Sequence, residues 1–426
     1  MTDARAHPRE LPRPAVPPHP GPSGDAAPAD LPYAHPYWDD GEATALLDAL
    51  RSGMWTNGSR VAEFERELTR LTGAPTLTLS SGTTAISALL RIVGERTPGP
   101  RLLVTPTLTF AAAPASARLL DWDVALCDVE ADGLTLAPAA LDALLHRVHR
   151  HYAVIVVVPV HYAGHTADLP ALTALCTRYG ADLVEDACHA IGGHYDDPRA
   201  PVGSWPGSLA AYYSFHPVKP VACGEGGAVA TRDPALLERL RGLRNHNMTP
   251  LPDHPHDQAP WPYTIDTPGT NYRLSDFHAA VGTVQARRAE ESRTERARLA
   301  ERYHRAFAQL PAVRTVPGQQ RPGSAHHLFP VVFDLAALGL SKRALLTAFR
   351  ARRVHCQIHY SPLHRLDAFA GTPAQLRTEF PVADAVFPGL VSLPLWRGMR
   401  ETDDQDRVID IVTGLATDGR NRESTP

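Results

Sequence analysis

The sequence predicts an α/β fold, with helices crossing over a largely parallel sheet and a smaller α+β domain after it. Three observations predict this. Short apolar runs alternate with stretches of helical periodicity through the first half of the chain. One of them, AVIVVVP (153–159), is apolar on both faces, as a buried parallel strand is. Past residue 300 a shorter series, strand then helix then strand, follows a long helical stretch.

Taken in order, the first thirty residues are rich in Pro, Ala and Gly and lack an apolar run, so 1–31 is expected to be a disordered tail rather than a secretory signal. GEATALLDALRSGMW (41–55) and VAEFERELTRLTG (61–73) carry apolar residues at helical spacing. The strand candidates are TLTL (76–79), RLLVTP (101–106), DVALCDV (123–129), YAVIVVVPV (152–160), ADLVEDA (181–187), LAAYYSF (209–215) and GGAVAT (226–231). MTPLPDHPHDQAPWPYTIDTPGTNYR (248–273) is Pro- and His-rich and aperiodic, a long loop of the functional or disordered kind. From Ser275 one long helix is expected to run to about residue 310. HHLFPVVFD (326–334), KRALLTAFRARRV (342–354) and CQIHYSPLH (356–364) then read as strand, helix and strand. The domains so expected are 32–285 and 286–418, with 419–426 a second disordered tail.

The bulk composition excludes several classes. The formal charge is -4 and the pI near 6.6, so no basic field suits nucleic acid. No stretch of about 20 apolar residues predicts a membrane span. The five cysteines show no CxxC or metal-ligand spacing, which fits reduced thiols in a cytoplasmic protein.

Chemistry is expected at the carboxyl ends of the strands, where such sheets bind ligands. Three groups stand there. In TLTLSSGTTAISALL a strand ends at Leu79 and a helix begins after Ser80, Ser81, Gly82, Thr83 and Thr84; its free N–H groups suit a phosphate, or the hydroxyls merely cap the helix. In ADLVEDACHAIGG, Glu185 and Asp186 close a strand, where a carboxylate can pair with a protonated ring nitrogen or cap the next turn; His189 follows three residues on. In YYSFHPVKPVACGEGG, Lys219 is framed by Pro217 and Pro220 and followed by Gly224, Gly226 and Gly227. A lysine so framed is suited to form a Schiff base with an aldehyde cofactor; the alternative, a chance exposed lysine, is disfavoured by the proline frame and the glycine tract. A phosphate cradle, a carboxylate and a lysine in that order are what pyridoxal phosphate needs. Phe110, in TPTLTFAAAP, follows another strand and is placed either to stack on the ring or to fill the core.

With these residues in view, the chain from about Tyr33 to Thr413 resembles the DegT/DnrJ/EryC1/StrS family of pyridoxal-phosphate aminotransferases acting on nucleotide-linked keto sugars. The motifs that carry the resemblance are SGTTA, TPTLTF, VPVHYAGHTADL, VEDACHAIGG, YYSFHPVKP with GEGGAV, TNYRLSDFHAAVG and QIHYSPLH. The resemblance implies the type I aminotransferase fold, with a mixed, mostly parallel seven-stranded sheet. It implies that Lys219 carries the cofactor, Asp186 pairs with the pyridine nitrogen, Phe110 stacks on the ring and His189 stands beside it. Ser214 and the turn Gly82, Thr83 and Thr84 would bind the phosphate. Asn271 would reach it from the partner subunit of a homodimer with shared active sites. Arg244, His246, Tyr272, Arg273, His359 and Tyr360 are the substrate-binding candidates.

Within the family, SFHPVKP, RNHNM (244–248) and QIHYSPLH look most like the 4-aminotransferase of the pseudaminic acid pathway. The implied reaction is amination of a UDP-linked 4-keto-6-deoxy hexose, with L-glutamate as donor. An aminotransferase for a 3-keto sugar or cyclitol, and a non-catalytic cofactor-binding regulator, are the alternatives. The family's dehydratase branch carries histidine where this chain has Lys219. A metal site at His359 and His364 is disfavoured because two histidines of this kind are more often structural or substrate contacts.

Overall fold

The computed structural model describes residues 29–250, 263–370 and 373–423. Two helices lead in. α1 (Asp40–Arg51) is capped by Asp39, whose side chain accepts from Gly41 N while Glu42 reaches back to Asp39 N, and α2 (Ser59–Thr72) ends at Gly73 in the left-handed region. Seven strands then form one sheet: β1 (Thr76–Leu79), β2 (Arg101–Pro106), β3 (Asp123–Cys127), β4 (Val154–Val157), β5 (Asp182–Asp186), β6 (Ala210–Ser214) and β7 (Gly227–Ala230). Their spatial order is β1-β7-β6-β5-β4-β2-β3, with β7 antiparallel to both neighbours and every other pair parallel.

The crossover helices are α3 (Gly82–Gly94), α4 (Ala112–Leu119), α5 (Pro138–Val148) and α6 (Leu169–Tyr179); α7 (Pro234–Arg244) follows β7. Alternation along the strands sorts the core into two layers. Leu102, Val104, Ile155 and Val157 pack with α2, α5 and α6, whereas Leu103, Val124, Val154 and Val156 pack with α3, α4 and α7. The sheet is therefore covered on both faces, which explains why its strands read as apolar runs.

A short pair, β8 (Thr249–Pro250) and β9 (Tyr263–Thr264), flanks the long loop. Residues 251–262 of that loop lie outside the described residues. The long helix expected from Ser275 is two: α8 (Asp276–Arg287) and α9 (Ala289–Phe307), separated at Arg288, whose guanidinium reaches Asp39 and Glu42 at the mouth of α1. A third core gathers α9, the helix Lys342–Ala351 and the last helix around an antiparallel sheet of β10 (Val313–Thr315), β11 (Phe329–Phe333) and β12 (Leu390–Leu393).

Three expectations at this end are corrected. CQIHYSPLH forms no strand: it meets β12 through a single bridge, Gln357 with Ser392, and then turns away. Leu31, expected in the tail, is buried and pairs with Val354, while residues 1–28 lie outside the described residues. The last helix, Asp406–Glu423, continues past the expected boundary at 418. No helix among the described residues is long and apolar enough to cross a membrane.

Candidate active site

The three groups singled out in the sequence converge on one cleft of about 570 Å³. Its floor is the carboxyl ends of β5 and β6, and its walls are the start of α3, the turn after β2, the lysine turn, the segment 357–360 and Tyr33. Of the predicted residues, Gly82, Thr83, Phe110, Asp186, His189, Ser214, Lys219, His359 and Tyr360 line it.

At the start of α3, Ser81 is the N-cap. Its hydroxyl accepts from Thr84 N (3.1 Å), and Ser81 N donates to the Thr84 hydroxyl (2.9 Å). This capping box occupies Thr84, which stands behind the cleft wall rather than in it. The N–H groups of Gly82 and Thr83 are left outside the box, at the positive end of the helix dipole. Gly82 is required here by space: a Cβ would meet the Ser214 Cβ at 2.8 Å.

The neighbouring carboxylates at the end of β5 face opposite ways, as strand alternation demands. Glu185 points into the core, where His161 Nε2 (2.8 Å) and the Tyr195 hydroxyl (2.6 Å) hold it. Asp186 points into the cleft, accepting from the Tyr212 hydroxyl and from Cys188 N (3.1 Å). On β6 the same alternation aims Tyr212 and Ser214 at the cleft and turns Tyr213 away to Val202.

Lys219 N donates to His216 O (2.9 Å), which fixes the turn, and among the described residues its ammonium makes no hydrogen bond or ion pair. Burial pushes Lys219 below its ordinary value, against the opposing pull of Cys188 and Asp186. Burial, with the Lys219 charge nearby, also holds His189 well below the usual histidine range and His359 down to about 3. Both imidazoles are therefore neutral at ordinary pH. His189 Nε2 meets the Tyr360 hydroxyl at 2.9 Å, and its buried Nδ1 has no hydrogen-bond partner among the described residues. His359 Nδ1 is tied to Ser392 (2.9 Å). Phe110 sits on the rim, 62 % exposed, with its ring 6.0 Å from that of Tyr360.

The other candidates lie elsewhere. Arg244, expected at the substrate, is a structural ion pair: its Nη1 donates to Glu65 (2.6 Å) and to Thr78 O (2.8 Å). Arg273 donates to Asn245 Oδ1 (2.7 Å), and Tyr272 is half-buried against the core over α3. His246 holds a left-handed turn, its N–H bonded to Thr270 O. Asn271 is exposed beyond the cleft, bridged to Asn245. His364 is also outside it, between Thr107 (2.7 Å) and Asp384 (3.1 Å), and no metal-binding cluster of three occurs among the described residues.

Sequence reasoning missed Tyr33, Cys188, Tyr212 and His327, all of which line the cleft. Tyr212 and Cys188 were findable, each two residues from a chosen one and hence on its side of the chain. His327, 4.5 Å from the His189 ring, and Tyr33 arrive from distant segments with no local signal.

The family model of the DegT/DnrJ/EryC1/StrS aminotransferases matches residues 36–413. Among solved structures, the chain is similar to Helicobacter pylori PseC, an aminotransferase involved in pseudaminic acid biosynthesis (23 % identity, 91 % of this chain and 100 % of that one, TM-score 0.81). It is similar to an aminotransferase of the same family from Brucella abortus (26 %, 88 % and 95 %, TM-score 0.76). It is also similar to DesI, solved with its TDP-sugar product (27 %, 95 % and 97 %, TM-score 0.79).

Proposed function

The chain belongs to the DegT/DnrJ/EryC1/StrS aminotransferase family, and from that premise we propose that it transfers an amino group to a keto sugar carried on a nucleotide. The substrate in this reading is a UDP-linked 4-keto-6-deoxy hexose, the product its 4-amino sugar, and L-glutamate the donor. The family's cofactor is pyridoxal phosphate, and the cleft fits it on its own geometry. A half-buried lysine with no hydrogen bond or ion pair among the described residues, the helix-start N–H groups of Gly82 and Thr83 and an anchored carboxylate surround one space, with an exposed aromatic ring at its edge. The single observation that carries the proposal is Lys219, unpartnered in the same cleft as Asp186.

When bound, pyridoxal phosphate supplies an aldehyde that exchanges with amines and a ring that accepts an electron pair. The chain's own groups do the rest. Lys219 would hold that aldehyde at rest and be released from it when the donor amine takes its place. Its Nζ, inclined by burial toward the neutral form, can take the proton from the donor's α-carbon and return it on the far side of the transfer. Asp186, fixed by Tyr212 and Cys188 N, presents a charge that keeps a ring nitrogen protonated. Gly82 and Thr83 N–H, with Ser214, would hold the phosphate, and Phe110 would cover the ring; all four line the cleft. Neutral His189 keeps the Tyr360 hydroxyl turned to the cleft. The nucleotide contributes binding remote from the reacting carbon, which orients the sugar. The similarity to DesI, a structure that holds a TDP-sugar, supports a sugar nucleotide as acceptor.

The test is spectroscopic. Protein loaded with pyridoxal phosphate is mixed with L-glutamate, and the bound cofactor is followed to pyridoxamine phosphate. Keto sugars on UDP and TDP are then screened for its return, with Lys219→Ala as the blank. No response to any amino acid would remove the transaminase reading; a response without return by any sugar nucleotide would remove the acceptor.

A further inference from the structure

Lys219 borders a second, much smaller compartment, lined also by Gln285, Arg288, Ser292, Arg296 and Arg397. It offers about 10 Å³, room for roughly one water-sized particle. Its cations are unevenly paired: the carboxylates that reach it are gathered on Arg288 and Arg397. Arg288 is matched by Asp39 and Glu42, and Arg397 by Glu291 at 2.7 Å and, through Nε, by Glu295 at 3.6 Å. Arg296, on α9, is 4 % exposed and pairs with no carboxylate among the described residues. Its hydrogen bonds are long and go to neutral acceptors, Ser292 Oγ at 3.4 Å and Leu395 O at 3.3 Å. Glu295, the acid that acts on it most, is spent on Gly398 N (2.7 Å) and Arg397 (3.6 Å). Burial, reinforced by Arg397, lowers the Arg296 guanidinium to about 10.

We infer that this compartment binds a small monovalent anion of chloride's size, held by the Arg296 guanidinium beside Lys219. A buried guanidinium without a counter-charge is costly, and the cost falls when an anion shares its cavity. The size of the space selects the class. One near-spherical ion fits where a water fits, whereas a carboxylate or phosphate group needs several times that room. The site stands on charge and space alone, so it does not depend on which acceptor the enzyme uses. Its consequence is a fixed negative charge next to the lysine that anchors the cofactor, opposing the effect of burial on that lysine.

Bromide is the probe. Crystals of the holoenzyme grown in gluconate and soaked in sodium bromide should show an anomalous peak against Arg296. At constant ionic strength, replacing gluconate with bromide should raise Tm by at least about 1 °C, saturably. Arg296→Met, an apolar replacement of similar length, should abolish that response while keeping the cofactor's absorbance; Arg296→Lys should retain it at higher bromide. No peak, with equal Tm in bromide and gluconate, would overturn the inference and leave water in the compartment. If Arg296→Met does not fold, the wild-type peak and the Lys variant decide.

Discussion

Asp186→Asn separates charge from shape. The carboxylate is held at one oxygen by Cys188 N and at the other by the Tyr212 hydroxyl. Asparagine keeps the first bond through its carbonyl. Its amide can donate to Tyr212, whose hydroxyl accepts as well as it donates. Packing is preserved and only the charge facing the cleft is lost, so Tm should move by no more than about 2 °C. A hydrogen bond to a charged partner contributes about 1.5–3 kcal/mol, so the ring nitrogen loses that much support. The half-reaction with L-glutamate should slow roughly 10- to 150-fold. Stopped-flow conversion of bound pyridoxal phosphate to pyridoxamine phosphate, with cofactor saturating, measures it. A folded, cofactor-loaded variant within twofold of wild type would refute the assignment of Asp186 to the ring nitrogen.

Four further outcomes are expected. Glu185→Ala should leave His161 and Tyr195 without their buried acceptor and destabilise the fold by about 3 kcal/mol, read by urea titration, with the affinity for the cofactor changed less than threefold. Gly82→Ala places a methyl 2.8 Å from Ser214 Cβ at the phosphate cradle, so cofactor affinity should fall at least about tenfold by equilibrium dialysis. Phe110→Ala removes a mostly exposed ring, so Tm without cofactor should be unchanged while cofactor dissociation accelerates. Burial lowers His165 to about 3 from 6.5, so the unfolded chain takes up its proton first as pH falls. Stability should therefore decline from pH 6.5 toward 3, and His165→Gln should flatten that decline in pH-dependent unfolding.

Much of this was legible because the residues concerned signal locally. Strands of a sheet covered on both faces read as short apolar runs, so all seven stood out. Lys219 was marked by its prolines, and Asp186 by ending a strand. What was illegible depended on distance. Arg244 has the composition of a ligand-binding arginine, but its partner Glu65 is 179 residues away, and nothing in RNHNM distinguishes the two fates. The break at Arg288 is set by acids near α1, not by a helix-breaking residue. QIHY alternates as a strand does, yet pairs once and is spent on the cleft wall.

The cleft wall has a consequence for the order of folding. Its floor comes from strands near residues 186 and 214, one side from 357–360, and another from Tyr33, which hands its carbonyl to Leu395 N (3.2 Å). No contiguous stretch of chain owns a binding site, so a half-folded molecule has nothing to offer the cofactor. During synthesis the lysine turn emerges well before the segment that walls it in. Capture of pyridoxal phosphate is thus a report of completed assembly, and in refolding its signal belongs to the last phase, after secondary structure has recovered.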